Sequence, residues 1–302
     1  MSKFKESLKF LVSFFLMFTI ILVQLSFFTS LKVLNGDFYK DTLSKSEYFS
    51  LMRKDIDYGF KNLSMITSIP EKVFIDSVSN EAIKQLAYKN ISSTESYMKY
   101  KDKYIDNKID TTIIYNNLLK YVEVNNIKVD ADLKNQLLAV SQDAGNIINN
   151  HTVLFNINQV DKYPQFQSFR KFINLLYTSK LISTFAILLM LAILGFLNKD
   201  LPRRMFLWVG SSFIPAAILT LIPSILALYY KIPNRFSIDS AYVKVALRDI
   251  SIGYIKYFTV TGVVIFVVGV CSMYIYSHLS NKAYKSTVNW DMKQLVASYT
   301  LL

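Results

Sequence analysis

The sequence predicts an all-α fold: four transmembrane helices, with a helical extracytoplasmic domain inserted between the first and second spans. Three observations carry that expectation. Apolar residues make up 52% of the 302-residue chain, charged residues only 19%, and the mean hydropathy is +0.27. That balance suits a chain partly dissolved in lipid. The apolar residues are gathered into four long runs. The formal net charge of +12 lies beside those runs: residues 32–178 carry 19 Lys+Arg against 17 Asp+Glu, and the remainder carries 15 against 5. Such placement is a membrane signature and not a nucleic-acid footprint.

The first span is expected at residues 10–31. Its stretch from Phe10 to Gln24 contains no charge, and residues 1–9 before it hold Lys3, Lys5 and Lys9. The apolar run exceeds the 7–15 residues of a signal-peptide core and no A-x-A site follows, so an uncleaved signal anchor is expected; a cleaved signal peptide is the alternative. The second span is expected at 179–197, the third at 205–230 with Pro215 and Pro223 inside it, and the fourth at 257–277. About 20 apolar residues at 1.5 Å each cross a hydrocarbon core of about 30 Å. Tyr229, Tyr230, Tyr254, Tyr257, Tyr274, Tyr276 and Trp208 sit near the span ends, where amphipathic rings favour the interface.

Basic residues flank both sides. Residues 1–9, the 198–204 loop and the 278–302 tail hold Lys3, Lys5, Lys9, Lys199, Arg203, Arg204, Lys282, Lys285 and Lys293. The opposite side answers with Lys231, Arg235, Lys244, Arg248 and Lys256 in the 231–256 connection and with Lys32, Lys40, Arg170, Lys171 and Lys180 at the edges of the insertion, so the charge count does not decide. The first helix and its basic prefix therefore set the expected orientation in a cell membrane: both termini cytoplasmic, with residues 32–178 outside. The lack of Cys in that insertion agrees with export. The 231–256 connection reads either as a basic amphipathic helix in the headgroup layer leading into the fourth span, or as an ordinary basic loop.

Residues 32–178 are long enough for a core of their own. Tyr48, Met52, Ile56, Phe60 and Leu63 recur on one helical face. Ser68-Ile69-Pro70-Glu71 has the form of a capping box. Ser79 is placed to cap a helix with Ile83, Leu86, Ala87 and Ile91 inward. Asp110 precedes a helix with Ile114, Leu118, Tyr121 and Val122 inward. Asp130 opens the longest, with Leu133, Leu137, Val140, Ala144, Ile147 and Leu154 in register. Phe166, Phe169, Ile173 and Leu176 continue in phase towards Leu181, so stalk helices running into the spans are expected. Period-2 alternation is scarce and no Asp-Gly turn occurs.

No reaction is legible. The chain has two His (His151, His278) and one Cys (Cys271), which excludes disulfides within the chain, zinc clusters and Cys-His catalysis. His151 reads as an ordinary helix residue, His278 as a headgroup-level side chain, and Cys271 as a small hydrophobe. Asp102, Asp106 and Asp110 would share one face of a continuous helix, but Lys99, Lys101, Lys103 and Lys108 interleave with them, as on a solvated face. Asp55 and Asp57 have no metal-ligand spacing. Gly-rich phosphate loops, the nucleophile elbow and H-E-x-x-H are absent from the sequence. No catalytic, cofactor or metal residue is therefore proposed, and no cofactor or nucleic-acid partner is expected.

The span interiors offer only Ser, Thr, Gln24 and Cys271 as polar groups, so an ion pathway lacks ionisable groups. Gly262 and Gly269, one heptad apart, with Gly195, point to close helix approach or dimerisation. The expected role is a non-enzymatic binding, scaffold or accessory protein. Its expected partners are the lipid bilayer and a membrane protein partner or a second copy; any small ligand is unspecified. The alternatives are a transport or channel component, or a sensor acting through a separate partner.

Asp37-Phe38-Tyr39-Lys40 with Leu43, Ile69-Pro70-Glu71-Lys72-Val73-Phe74, Ile109-Asp110-Thr111 and Asn125-Asn126-Ile127 resemble a group of uncharacterised four-span membrane proteins of low-GC Gram-positive, clostridia-type bacteria. The resemblance covers the insertion and implies a helical extracytoplasmic body. The layout alone is also similar to four-span proteins linked to ABC transporters, from which the seven-residue 198–204 loop departs.

Overall fold

The computed structural model describes residues 3–100 and 104–299, and all regular structure among them is helical. The α-helices in chain order are α1 (Lys3–Phe28), α2 (Gly36–Ser44), α3 (Tyr48–Thr67), α4 (Glu71–Ser77), α5 (Asn80–Tyr100), α6 (Thr112–Val124), α7 (Ala131–Thr152), α8 (Ile157–Val160), α9 (Pro164–Leu197), α10 (Arg203–Tyr229) and α11 (Ala241–Tyr299). A π-helical turn (Thr29–Val33) follows α1 and a 3-10 turn (Ile232–Arg235) follows α10. Four segments are long and apolar enough to cross a bilayer: Phe4–Val33, Pro164–Leu197, Arg203–Tyr229 and Ala241–Ala283. The chain is therefore of multi-pass membrane type by length and composition.

Two compact units divide the chain. The first, a helix bundle, contains the chain up to Thr29, Leu175–Lys231 and the chain from Tyr254. Leu16, Ile20, Leu194 and Ala216 form a buried layer in it, with Met17, Leu191, Trp208 and Ile265 packed around. Phe10, Phe14 and Phe18 on α1, Leu181, Phe185 and Leu188 on α9, and Val260, Val264 and Val267 on α11 stay exposed. In water those faces would drive aggregation; lipid tails solvate them. Helix α10 keeps its path through Pro215 and Pro223, each of which removes one ladder bond and frees the carbonyl four residues earlier. A Cβ on Gly269 of α11 would sit 3.0 Å from the Ile214 backbone nitrogen, so only glycine permits this approach of α11 to α10. Gly262 meets Leu221 and Thr220 of α10 in the same way, whereas Gly195 meets only Met205 Sδ at 3.6 Å. Gly262 and Gly269 thus pack closely against α10.

The second unit, a polar body, contains Ser30–Asn174 and Ile232–Gly253. Its centre is the α3 face of Tyr48, Met52, Ile56, Phe60 and Leu63, all buried. Phe60 stacks on Phe74 of α4 at 5.8 Å between centroids. Helix α5 adds Ile83, Leu86, Ala87 and Ile91, and α6 adds Ile114, Leu118 and Val122. Burial stabilises by roughly 1.5–3 kcal/mol for each large apolar side chain. The helix ends are satisfied locally. Asn35 Oδ1 accepts from the Asp37 and Phe38 amides, Ser79 Oγ from Ala82, and Asp130 Oδ1 from Leu133. Arg53 closes the C-terminal end of α4, donating to the carbonyls of Val78 (2.7 Å) and Ile75 (3.3 Å) and pairing with Asp57 at 2.7 Å.

The 231–256 connection is neither an isolated surface helix nor a simple loop. Its residues 232–253 cluster with the insertion. In the first turns of α11, Ala246 and Ile250 are buried. A Cβ on Gly253 would lie 2.7 Å from the Phe38 ring.

Several local expectations are corrected. Ser68 does not open a capping box: it ends α3 in the left-handed region (φ 57°), and α4 starts after Pro70 without a side-chain cap. No single helix carries Asp106 and Asp110, because residues 104–110 are non-helical; Asp102 lies outside the described residues. On α7 the buried stripe is Leu137, Ser141, Ala144, Gly145, Ile148 and Thr152, with Leu133, Val140 and Ile147 only half-buried and Leu154 beyond the end of the helix. Small residues mark that contact face, and counting apolar residues alone rotates it. Tyr121 is half-buried and Phe169 exposed, while Ile173 and Leu176 are buried as expected. After α1 the chain turns through the π-helical segment into α2, whereas α9 is continuous from Pro164 to Leu197.

Candidate functional site

The polar body carries a cleft whose two walls follow from two different periodicities. One wall is the extended segment 104–110. Its backbone finds partners on side chains at every second residue: the amide of Ile105 donates to Ser93 Oγ (3.0 Å), that of Asn107 to Asn90 Oδ1 (3.2 Å) and that of Ile109 to Asn149 Oδ1 (2.8 Å). A stretch without a ladder takes such acceptors for its amides. The alternation turns Tyr104, Asp106 and Lys108 to the cleft. The other wall is the C-terminal half of α7, where Asn146, Asn149, Asn150 and Val153 fall at i, i+3, i+4 and i+7. Asn156 and Asn158 close the end. The volume is about 200 Å³.

Side-chain packing holds both walls. A Cβ on Gly145 would lie 2.4 Å from Thr111 Cγ2, so α7 meets the 109–111 strip at contact distance. Asn156 Oδ1 accepts from the Gln159 amide (3.3 Å), fixing the first turn of α8. The Tyr104 ring lies edge-on to Tyr97, centroids 6.2 Å apart. The Arg170 guanidinium lies over the Tyr97 ring, 3.7 Å from its centroid. Arg170 also donates to the Tyr97 carbonyl, and the Tyr97 hydroxyl bonds Asp161. Burial, with Asp106 adding to it, raises the Tyr104 phenol above its ordinary range. Two hydrogen bonds to Thr112 hold the Asp110 carboxyl below the usual carboxylate range. The cleft is thus a neutral surface of carboxamides with one carboxylate, one ammonium and one aromatic ring.

A second polar cluster caps one end of the bundle. Lys9, expected in the solvated basic prefix, is 1% exposed and pairs with Glu6 at 3.3 Å. Glu6 also meets Arg204 at 3.4 Å, and Lys5 pairs with Asp200 at 2.9 Å. Lys5 holds the Asp200 carboxyl below its usual range. One turn deeper, Ser13 Oγ meets Ser212 Oγ at 2.7 Å and Ser211 Oγ at 3.2 Å. Further along α1, Gln24 Nε2 donates to Thr261 Oγ1 at 2.6 Å and Ser26 meets Ser179 at 3.0 Å. The buried face of α1 is therefore polar at both ends and apolar at Leu16 and Ile20 between them.

The residues singled out from sequence are not brought together. His151 Nδ1 donates to the Ile147 carbonyl at 2.7 Å, since a carbonyl only accepts, and its ring packs 5.7 Å from Tyr242. His278 stacks on Tyr274, centroids 6.4 Å apart, and Cys271 is exposed on α11. Asp57 is tied to Arg53. Among the described residues no three His, Cys, Asp or Glu form a metal-holding group. The cleft escaped sequence reading, although its signal was there: three Asn of α7 at helical spacing, with Val153 at its C-cap.

Comparison with protein-family models, curated proteins and solved structures gives no match for this chain.

Proposed function

We propose that this chain is a multi-pass protein of a cell membrane whose helical body projects from the outer face and binds a ligand or partner there without chemical conversion. The observation that carries the reading is the pairing of connections. A chain crossing four times delivers residues 32–178 and 231–256 to one side, and residues 1–9 and 198–204 to the other. Tyr48 and Tyr242 meet in the polar body, centroids 5.7 Å apart. Lys5 and Asp200 meet at the end of the bundle. Both contacts obey that parity. The basic prefix supports the outward placement of the body. The cleft offers recognition groups and no nucleophile backed by a base.

Sidedness is tested by single cysteines in a Cys271→Ser background, labelled in intact cells with a membrane-impermeant maleimide. Ser92→Cys should label and Ser286→Cys should label only after permeabilisation. The reverse pattern would put the body in the cytosol and remove the outer-face reading.

A transport component is the second reading, favoured by the polar groups along the buried face of α1 and by Pro215 and Pro223 in α10. The Leu16, Ile20, Leu194 and Ala216 layer closes that face in the described conformation. Ion flux in proteoliposomes separates the two readings, and silence across a panel of ions would retire the second.

A further inference from the structure

The cleft also indicates what class of ligand it takes. A carboxamide presents two donors and an acceptor without charge. Asn146, Asn150 and Asn158 present such groups to the cleft, and no partner within the described residues claims them. Asn149 and Asn156, by contrast, commit their Oδ1 acceptors to the Ile109 and Gln159 amides. Asp106 and Lys108 lie two residues apart on the facing strip, so their formal charges cancel and the site favours neither anion nor cation. Tyr104, whose ring stands edge-on to Tyr97, is the one aromatic residue lining the cleft beside them. The volume of about 200 Å³ is below the roughly 300 Å³ at which drug-sized pockets begin and equals the room of about six or seven liquid waters. One small ring fits.

We propose that this cleft binds a neutral saccharide unit, its hydroxyl groups paired with the carboxamides of Asn146, Asn150 and Asn158 and its C–H face laid on Tyr104. Vicinal hydroxyls are donor and acceptor at once, as the carboxamides are, so each pair is satisfied without desolvating a net charge. A charged ligand would meet one of Asp106 and Lys108 as a like charge and the other as an opposite one, so its contacts cancel while the cost of stripping water from a net charge remains. The inference rests on the reading of the body as a binding unit.

The test uses the full chain in lipid nanodiscs, because glycoside detergents would compete. Methyl β-D-glucopyranoside and N-acetylglucosamine are the neutral probes; glucosamine and glucose 6-phosphate are the charged ones. Binding is read by calorimetry and by saturation-transfer NMR. The neutral probes should saturate with dissociation constants on the order of millimolar, as expected for ligands this small. The charged probes should bind about tenfold more weakly or not at all. Asn150→Ala and Asn158→Ala should each weaken binding by about tenfold, with helicity and melting temperature unchanged. Asn116→Ala, on exposed α6 surface, should leave it unaltered. Absence of saturable binding by both neutral probes overturns the proposal, as does binding indifferent to Asn150→Ala and Asn158→Ala. If a charged probe binds instead and Asn150→Ala abolishes it, the proposal of a neutral ligand falls while the binding-unit reading stands.

Discussion

The phenol ring of Tyr242, at the start of α11, lies across that of Tyr48, the first residue of α3, with centroids 5.7 Å apart. Nearly 200 residues separate them in sequence, and they belong to different connections between apolar runs. Tyr48 is almost completely buried, and the contact builds the late connection into the core of the insertion. In doing so it makes the polar body depend on a segment remote from it in sequence.

Burial, with Tyr242 beside it, raises the Tyr48 phenol far above its ordinary value. The neutral form is therefore the one the fold stabilises. For a group whose folded pKa is raised, that stability is fully present below the unfolded value of about 10 and is lost as pH rises above it. Thermal melts followed by circular dichroism should be flat through neutral pH and fall above about pH 10. Tyr48→Phe should remove part of the alkaline fall. An unchanged alkaline profile in that variant would show that other groups carry it.

Helix approach in the bundle gives a second expectation. At Gly269 the added methyl of alanine would meet the Ile214 backbone, which cannot swing aside; at Gly195 it would meet only the flexible Met205 sulfur at ordinary contact distance. Gly269→Ala should therefore destabilise by about 1–3 kcal/mol, the scale of overpacking. Gly195→Ala should stay near neutral. Melting temperatures in one mild detergent would compare the two directly.

The Lys9–Glu6 pair gives a third. Glu6→Gln leaves the buried ammonium without its carboxylate and should cost about 1–2 kcal/mol, the low side for a broken buried pair because Glu6 is itself part-exposed. Lys9→Met replaces the charge by an apolar chain of similar length and should be neutral or mildly stabilising. Denaturation of both variants in detergent measures the difference. Equal losses would mean that the amine makes contacts beyond Glu6 that matter more.

What was legible in the sequence and what was not divides along physical lines. The α3 face could be read residue by residue, since Tyr48, Met52, Ile56, Phe60 and Leu63 repeat at the helical period and all are buried. Asp130 and Ser79 act as caps where their positions indicated. Ser68 failed because the same S-x-x-E spelling suits a helix end when a left-handed turn precedes Pro70. On α7 Ser141, Gly145 and Thr152 hold the contact face, and residues chosen for small size leave no hydrophobic period. Residues 104–110 gave no ladder pattern because their amides are satisfied by Ser93, Asn90 and Asn149, partners 12 to 40 residues away. Lys9 was unreadable for a similar reason: burial of a long cationic side chain depends on which helix packs over it. The cleft inherits both difficulties, since one wall is that segment and the other is polar.

The central claim is the four-crossing parity that joins the late connection to the insertion. Three cysteines in the Cys271→Ser background test it most directly: Ser92→Cys, Asn234→Cys and Lys199→Cys, labelled with an impermeant maleimide in right-side-out and inverted vesicles. The account requires positions 92 and 234 to label from one face and position 199 from the other. Labelling of 92 and 234 from opposite faces, or of 199 together with 92, would contradict it.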